Sequence, residues 1–285
     1  MSEYLIHGAA VLGLGIVAPL AFGGGRGRWL CWWFAATAAG ISFVPRAGVA
    51  AGVLTAPFAV AAARELLLRA RAARSWSEVP PPIGEAVASA FAMVAAVAFG
   101  HSRLGVELGG IGEPIVELTA VHFLFAGVGA LTLAARARRW VRRFPDRTAR
   151  AVLGDVAVVC TACAPPVVAV GFTTQRAVAQ VGGAGLMTVG VCCTALLHLF
   201  EARALRPSHT RTLLAVSGAA VWLPMVFAVA WAAARYWDVP AFSVATMVPG
   251  HGLPNALLFT LGGLLGSRDR EPSLRAARPV EVVRV

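Results

Sequence analysis

Lysine is absent: all 25 basic side chains of this 285-residue chain are arginine. That bias carries no mechanistic reading. Charge as a whole is scarce. Only 14% of residues are charged, against roughly 25% in a soluble domain, which excludes an ordinary water-soluble globule. The shortage of acid leaves a net charge of +11. Nucleic-acid binding is nevertheless excluded, because the arginines follow a membrane topology instead. The five cysteines (Cys31, Cys160, Cys163, Cys192 and Cys193) all fall in apolar segments. No disulfide framework is implied. The start, Met1-Ser2-Glu3-Tyr4, lacks the positive stretch of a secretory signal, so the first apolar segment is expected to remain as a span.

What is present is hydrophobic length. The chain is 58% hydrophobic with a mean hydropathy of +0.72. Apolar runs of about 20 residues recur, the length that crosses a bilayer as a helix. The expected fold is an all-α integral membrane protein, one domain over residues 1–285. About nine transmembrane helices are expected: Tyr4–Phe22, Trp29–Val44, Ala47–Leu68, Ile83–Gly100, Ile115–Ala135, Ala151–Phe172, Val178–Phe200, Leu213–Ala234 and Ser243–Gly266. Pro80-Pro81-Pro82 marks a stiff approach to the fourth, and residues 272–285 read as a disordered cytoplasmic tail. All arginines except Arg46, Arg103, Arg176 and Arg235 fall at one set of alternate loops or on the tail. By the positive-inside rule that set is cytoplasmic, which puts the N-terminus outside and the C-terminus inside. The chain is therefore expected in the cell membrane as a multi-pass protein. The run from Arg136 to Arg143 is an inner-face anchor, and contact with anionic lipid follows from its charge.

The last span is interrupted. Met247-Val248-Pro249-Gly250-His251-Gly252-Leu253-Pro254-Asn255 places helix breakers, a histidine and an asparagine inside an apolar run. Irregular backbone survives in hydrocarbon only where it is buried in protein or lines a cavity. Ionisable residues at that depth are functional candidates. At about 1.5 Å per residue, His122 lies about 10 Å below the outer edge, and His251 and Asn255 roughly 12–18 Å. Pro165-Pro166 and Pro224 fall in the same layer. Thr119, His122, Ala126 and Gly129 share one helix face, which turns His122 into the bundle. Glu117 sits about 140° around the helix from His122. His7 is expected at the outer interface.

A second polar group, Glu85, Asp155 and His198, lies nearer the inner side. Asp155 shares a face with Ala162 and Pro166. Pairing with inner-loop arginines is the alternative for Asp155 and Glu85, and an interfacial position for His198. His122 and His251 with a carboxylate do not have the spacing of a zinc signature. Cys160 and Cys163 form one CxxC beside Cys192-Cys193, which reads as small packing residues. No metal and no cofactor is expected.

Three segments carry a family resemblance: Leu118-Thr119-Ala120-Val121-His122-Phe123, Ala164 through Gly171, and His251-Gly252-Leu253-Pro254-Asn255-Ala256. With these the second half, roughly Glu113 to Ser267, resembles the YndJ-like family of bacterial membrane proteins. The first half matches only in apolar character. Where the family pattern often has another polar or aromatic residue after the His-Phe pair, this chain has Leu124-Phe125. The resemblance implies a polytopic protein of the bacterial inner membrane, no particular activity, and His122, His251 and Asn255 as site residues.

The leading functional expectation is a membrane enzyme acting on a lipophilic small molecule, specifically a terpene or meroterpenoid cyclase of natural-product biosynthesis. An acid would protonate an alkene or epoxide, and the carbocation would close rings. Burial raises a carboxyl pKa and keeps it protonated; the candidates are Asp155, Glu117 and Glu85. His122 or His251 could orient that acid or take the final proton. Aromatic walls stabilise cations, with Phe123, Phe125, Trp222, Phe227 and Phe259 as candidates. The chain is similar to integral-membrane cyclases in size and character, not in motif. A proton-coupled transporter and a non-catalytic scaffold are the alternatives; no inverted repeat supports transport. Oligomeric state is not legible.

Overall fold

The computed structural model describes residues 2–74, 83–143, 148–240 and 242–268. They form nine helical rods: α1 (2–22), α2 (Arg26–Ile41), α3 (49–74), α4 (Ile83–Leu104), α5 (Ile115–Val141), α6 (Thr148–Thr173), α7 (Ala177–Ala204), α8 (209–236) and α9 (244–268). No strand occurs among the described residues, only an isolated bridge between Leu108 and Ile111. Seven rods, α1 and α3 through α8, contain a segment long and apolar enough to cross a membrane. With 16 residues, α2 spans about 24 Å, short of a hydrocarbon core of about 30 Å. The prolines, glycines, His251 and Asn255 lower the hydropathy of α9, which also falls outside the seven. The proline triplet and the expected tail lie outside the described residues.

The rods start and stop for local reasons. Ser208 caps α8 by accepting from the Arg211 N–H, and Ser243 caps α9 by accepting from Thr246 N–H, each at 3.2 Å. Side-chain oxygens at this position satisfy donors that a helix start leaves free. Gly23, with φ of 63°, ends α1 in a conformation that favours glycine.

The core is organised around α5. Phe123, Leu124, Phe125, Val128, Leu131 and Leu133 are all buried. Three rods leave α-helical winding for π-helical winding: Gly13–Val17 in α1, Phe123–Gly129 in α5, and both Val248–Gly252 and Pro254–Leu261 in α9. The π segments of α1 and α5 and the second π segment of α9 pack on one another. Glycines permit that approach. A Cβ on Gly129 would sit 2.3 Å from Thr260 Cγ2, and one on Gly13 would sit 2.9 Å from Leu124 Cδ1. Small residues play this part between membrane helices generally. Likewise α6 and α7 pack antiparallel, with Gly190 against Thr161 and Gly183 against Val168.

One end of the bundle is tied by arginine. Arg28 binds Glu65 through both carboxylate oxygens, Arg69 and Arg139 bind Glu85, and Arg138 and Arg142 bind Asp155. Arg136 is buried and donates to Leu20 O at 2.7 Å and to Ser267 Oγ at 3.0 Å. Arg69 donates to Phe22 O at 3.2 Å. Cations at helix C-terminal carbonyls complement the helix dipole. These contacts place the ends of α1, α3, α5 and α9 and the starts of α2, α4 and α6 together, the helix ends that flank three of the Arg-rich loops read from the sequence.

Gly129→Ala is expected to destabilise the protein by about 1–3 kcal/mol, the usual cost of overpacking. Gly182, which has nothing within 4 Å of an added Cβ, is the control: Gly182→Ala should leave the melting temperature in detergent near wild type. Equal melting temperatures for both variants would contradict the close approach of α5 and α9.

Candidate functional site

The interruption of α9 packs against α8. Pro249 and Pro254 cannot donate backbone hydrogen bonds, and the rod winds through this stretch as two π segments. Such segments are frequent at functional sites. Gly250 lies against the Phe227 ring, 3.4 Å from an added Cβ. The gap lets His251 approach α8, where its Nδ1 lies 2.8 Å from Pro224 O. A carbonyl only accepts, so Nδ1 carries the proton. The Asn255 amide atom 3.2 Å from the same Nδ1 must then be its oxygen, since the two amide atoms exchange by a half-turn. His251 is thereby held in its Nδ1–H tautomer, and Nε2 keeps a lone pair. No hydrogen bond to Nε2 forms among the described residues.

His122 ends the α-helical first part of α5, one residue before the π segment. Protein surrounds it and His251 is within electrostatic reach, yet its side chain is exposed. Both observations hold for a side chain that faces a crevice within the bundle. The structure therefore brings together three sequence candidates, His122, His251 and Asn255, with Pro224 as the backbone anchor. Imidazoles can take up and release protons.

The other candidates are placed differently. Asp155 is 42% exposed and carries two arginines. Glu85 carries two as well. These ion pairs are the arginine alternative weighed from the sequence, and a carboxylate so paired favours its charged form. Glu117 is buried; its Oε2 lies 3.4 Å from His7 Nε2. His7, expected at the interface, is partly exposed and stacks on Phe43 with ring centroids 3.9 Å apart. His198 was also expected at the interface and is instead 1% exposed. Pro165 and Pro166 remain inside an unbroken α6.

Among the aromatic candidates, Phe123 packs edge-on against Phe91 at 5.4 Å. Phe125 and Phe259 are buried in the core. Phe227 contacts Phe242 and the α9 interruption. Trp222 is 41% exposed, with its N–H donated to Gly218 O of its own helix. A groove of about 350 Å³ does open between α1 and α2, lined by Val11, Gly15, Trp33, Ala36, Thr37 and Gly40. It shares no residue with the histidine crevice. Among the described residues no group of three His, Cys, Asp or Glu side chains could hold a metal ion.

A family model described as YndJ-like protein matches residues 11–259. The chain belongs to the YndJ-like family. The match includes His122, His251 and Asn255 and reaches well into the first half, where motif comparison found only apolar character. No curated protein and no solved structure shows significant similarity to this YndJ-like chain.

Sequence reasoning missed the buried Arg136 and the His198–Ser217 contact of 3.0 Å. Both sit where a helix end or a loop was expected, and only the packing of α5, α7, α8 and α9 buries them.

Glu85→Gln strands two arginine charges beside a side chain only 16% exposed, whereas Asp155→Asn acts at a more open pair. Breaking a buried pair costs about 3–5 kcal/mol and an exposed one about 0–1 kcal/mol. Glu85→Gln should therefore lower the melting temperature in detergent well below that of Asp155→Asn. The reverse order would refute this placement of the two carboxylates.

Proposed function

We propose that this protein is an integral-membrane enzyme that transfers protons to and from a lipophilic substrate at the His122–His251–Asn255 crevice. The observation that carries the proposal is the 2.8 Å contact of His251 Nδ1 with Pro224 O, which assigns the proton to Nδ1 and leaves a lone pair at Nε2 within an apolar bundle. A general base needs that lone pair within reach of its proton. Asn255 orients the ring, and His122 lines the same crevice.

The narrower reading is a terpene or meroterpenoid cyclase. Glu117 is the acid in this scheme, since arginines hold Glu85 and Asp155. It protonates an alkene or epoxide, the carbocation closes a ring, and His251 Nε2 removes a proton to give an isomer of unchanged mass. Phe123 and Phe227 are the wall residues nearest to this chemistry in sequence and contact. The substrate partitions into the bilayer and enters laterally.

The topology belongs to the same proposal. All nine rods cross the membrane, α2 and α9 included, with the N-terminus outside and the Arg-rich end cytoplasmic. Anionic lipid headgroups of a bacterial inner membrane meet that end. A second reading, a proton-coupled transporter, draws on the π-wound interruption of α9, because broken helices near mid-depth are transporter features.

Membranes from cells that express the protein, fed farnesylated and epoxidised prenyl substrates, are to be analysed by mass spectrometry. An isomer that wild type forms and His251→Ala and Asn255→Ala do not form is the expected result. An equal yield from both variants would overturn the site. Thiol labelling of single cysteines placed at residues 25 and 207 should require permeabilised cells, and at residue 175 should not. The opposite pattern would invert the orientation.

A further inference from the structure

Between α1 and α2 lies the groove of about 350 Å³, and none of its lining side chains is charged. The polar ones are already satisfied. The Trp33 N–H donates to Gly15 O at 2.9 Å, and the Thr37 hydroxyl donates to Trp33 O at 2.9 Å. Gly15, Ala36 and Gly40 carry too little side chain to fill the space. A Cβ on Gly15 would reach Ala36 Cβ only at 3.4 Å, and one on Gly40 would reach Val11 Cγ2 at 3.7 Å. Neither polar side chain of the lining is open to a ligand. Hydrocarbon is what such a surface takes, because a polar occupant would be left without partners.

Cations adjoin this groove through two indoles. Arg136 donates to Leu20 O and to Ser267 Oγ, which seats the end of α9 beside the turn from α1 to α2. Arg268, exposed at the end of α9, thereby reaches α2, and its guanidinium carbon lies 5.2 Å from the centre of the Trp29 ring. Trp29 meets Trp33 edge to face at 5.8 Å, and Trp33 is a wall of the groove. Arg26 is exposed at the start of α2. Arg28 and Arg64 are both engaged by Glu65. Arg26 and Arg268 have no acidic partner among the described residues. A guanidinium stacked on a ring keeps its N–H edge free, and that edge fits two oxygens of a phosphate.

We propose that an anionic phospholipid binds at this place, with its phosphate at Arg26 and Arg268 and one acyl chain laid over Trp29 and Trp33 into the groove. Depth fits the two parts of such a lipid. Trp33 lies about 10 Å and Gly40 about 21 Å along α2 from Arg26, and one leaflet holds about 15 Å of hydrocarbon. A chain that hangs from a headgroup at Arg26 therefore enters the groove with its distal half. Charge selects the headgroup. A zwitterionic lipid would bring an ammonium beside two arginines, whereas an anionic one brings only the phosphate that they lack. The bound phosphate joins the end of α9 to the start of α2, which Arg28 ties in turn to α3 through Glu65. The lipid is thus a structural part of the Arg-rich end.

This site takes the membrane placement of α1, α2 and α9 from the function proposed above and shares no residue with the crevice; thiol labelling reads the placement, product formation the crevice, and lipid occupancy this site. Purified protein in detergent is incubated with phosphatidylglycerol or with phosphatidylcholine of the same acyl chains, and retained lipid is counted by native mass spectrometry. Wild type should hold one phosphatidylglycerol at a concentration several-fold below that needed for one phosphatidylcholine. Arg26→Gln combined with Arg268→Gln should abolish that preference. Gly40→Leu, which fills the groove and leaves both charges, should weaken phosphatidylglycerol binding several-fold. Arg203→Gln combined with Arg206→Gln removes the same charge from exposed positions at another Arg-rich loop and should match wild type. Inorganic phosphate, which has no chain, should not displace the lipid. Equal binding of the two lipids by wild type overturns the proposal. So does an unchanged preference in the Arg26 and Arg268 variant, or an equal loss in the Arg203 and Arg206 variant. Wild-type binding in a Gly40→Leu protein that elutes as folded, displacement by inorganic phosphate, or a second copy of the chain in place of the lipid overturns it as well.

Discussion

The approach of α5 to α1 and α9 is the constraint on which the rest depends. It exists because Gly13 and Gly129 present no Cβ where Leu124 and Thr260 stand. With no hydrophobic force between helices in lipid, such contact comes from close packing and buried polar bonds. Three rods relax from α to π winding at this junction. The same winding begins just after His122 on α5 and includes His251 and Asn255 on α9. The packing that binds the bundle thus also positions its polar crevice.

Electrostatics divides the molecule into two ends. Glu65, Glu85 and Asp155 are each held by arginine, and Arg136 and Arg69 reach back to helix-end carbonyls. A buried ion pair seldom adds net stability but is costly to break, so this network fixes which helix ends lie together. It also removes two carboxylates from acid–base work. What remains for the proposed proton chemistry is Glu117 beside His7, together with His251 held by a backbone carbonyl and His122 within its reach.

Several features were legible in the chain because they are local. The interruption of α9 announced itself in Pro249, Gly250, His251, Pro254 and Asn255, and the three family segments matched a family that extends over residues 11–259. Arginine alternation told which loops share an end, since charge cannot cross hydrocarbon cheaply. Depth arithmetic, one coordinate per residue, set His122 and His251 in a common layer, and the two do lie within reach of each other. The same arithmetic failed for His198. It sits near a helix end, where depth alone reads as interface, and only neighbouring rods bury it.

Composition and hydrophobic period by themselves determined an all-α chain with segments long and apolar enough to cross a membrane, because hydropathy and helix length are sums over neighbours in sequence. They also determined where α9 must deviate, because a proline removes a backbone donor wherever it falls. The tertiary structure decided which groups meet. The His251 tautomer depends on a carbonyl 27 positions away, the burial of His198 on Ser217 and Gly263, and the engagement of Glu85 on Arg69 and Arg139. Each of these requires rods distant in sequence to pack side by side, and no local pattern of residues encodes a partner on another helix.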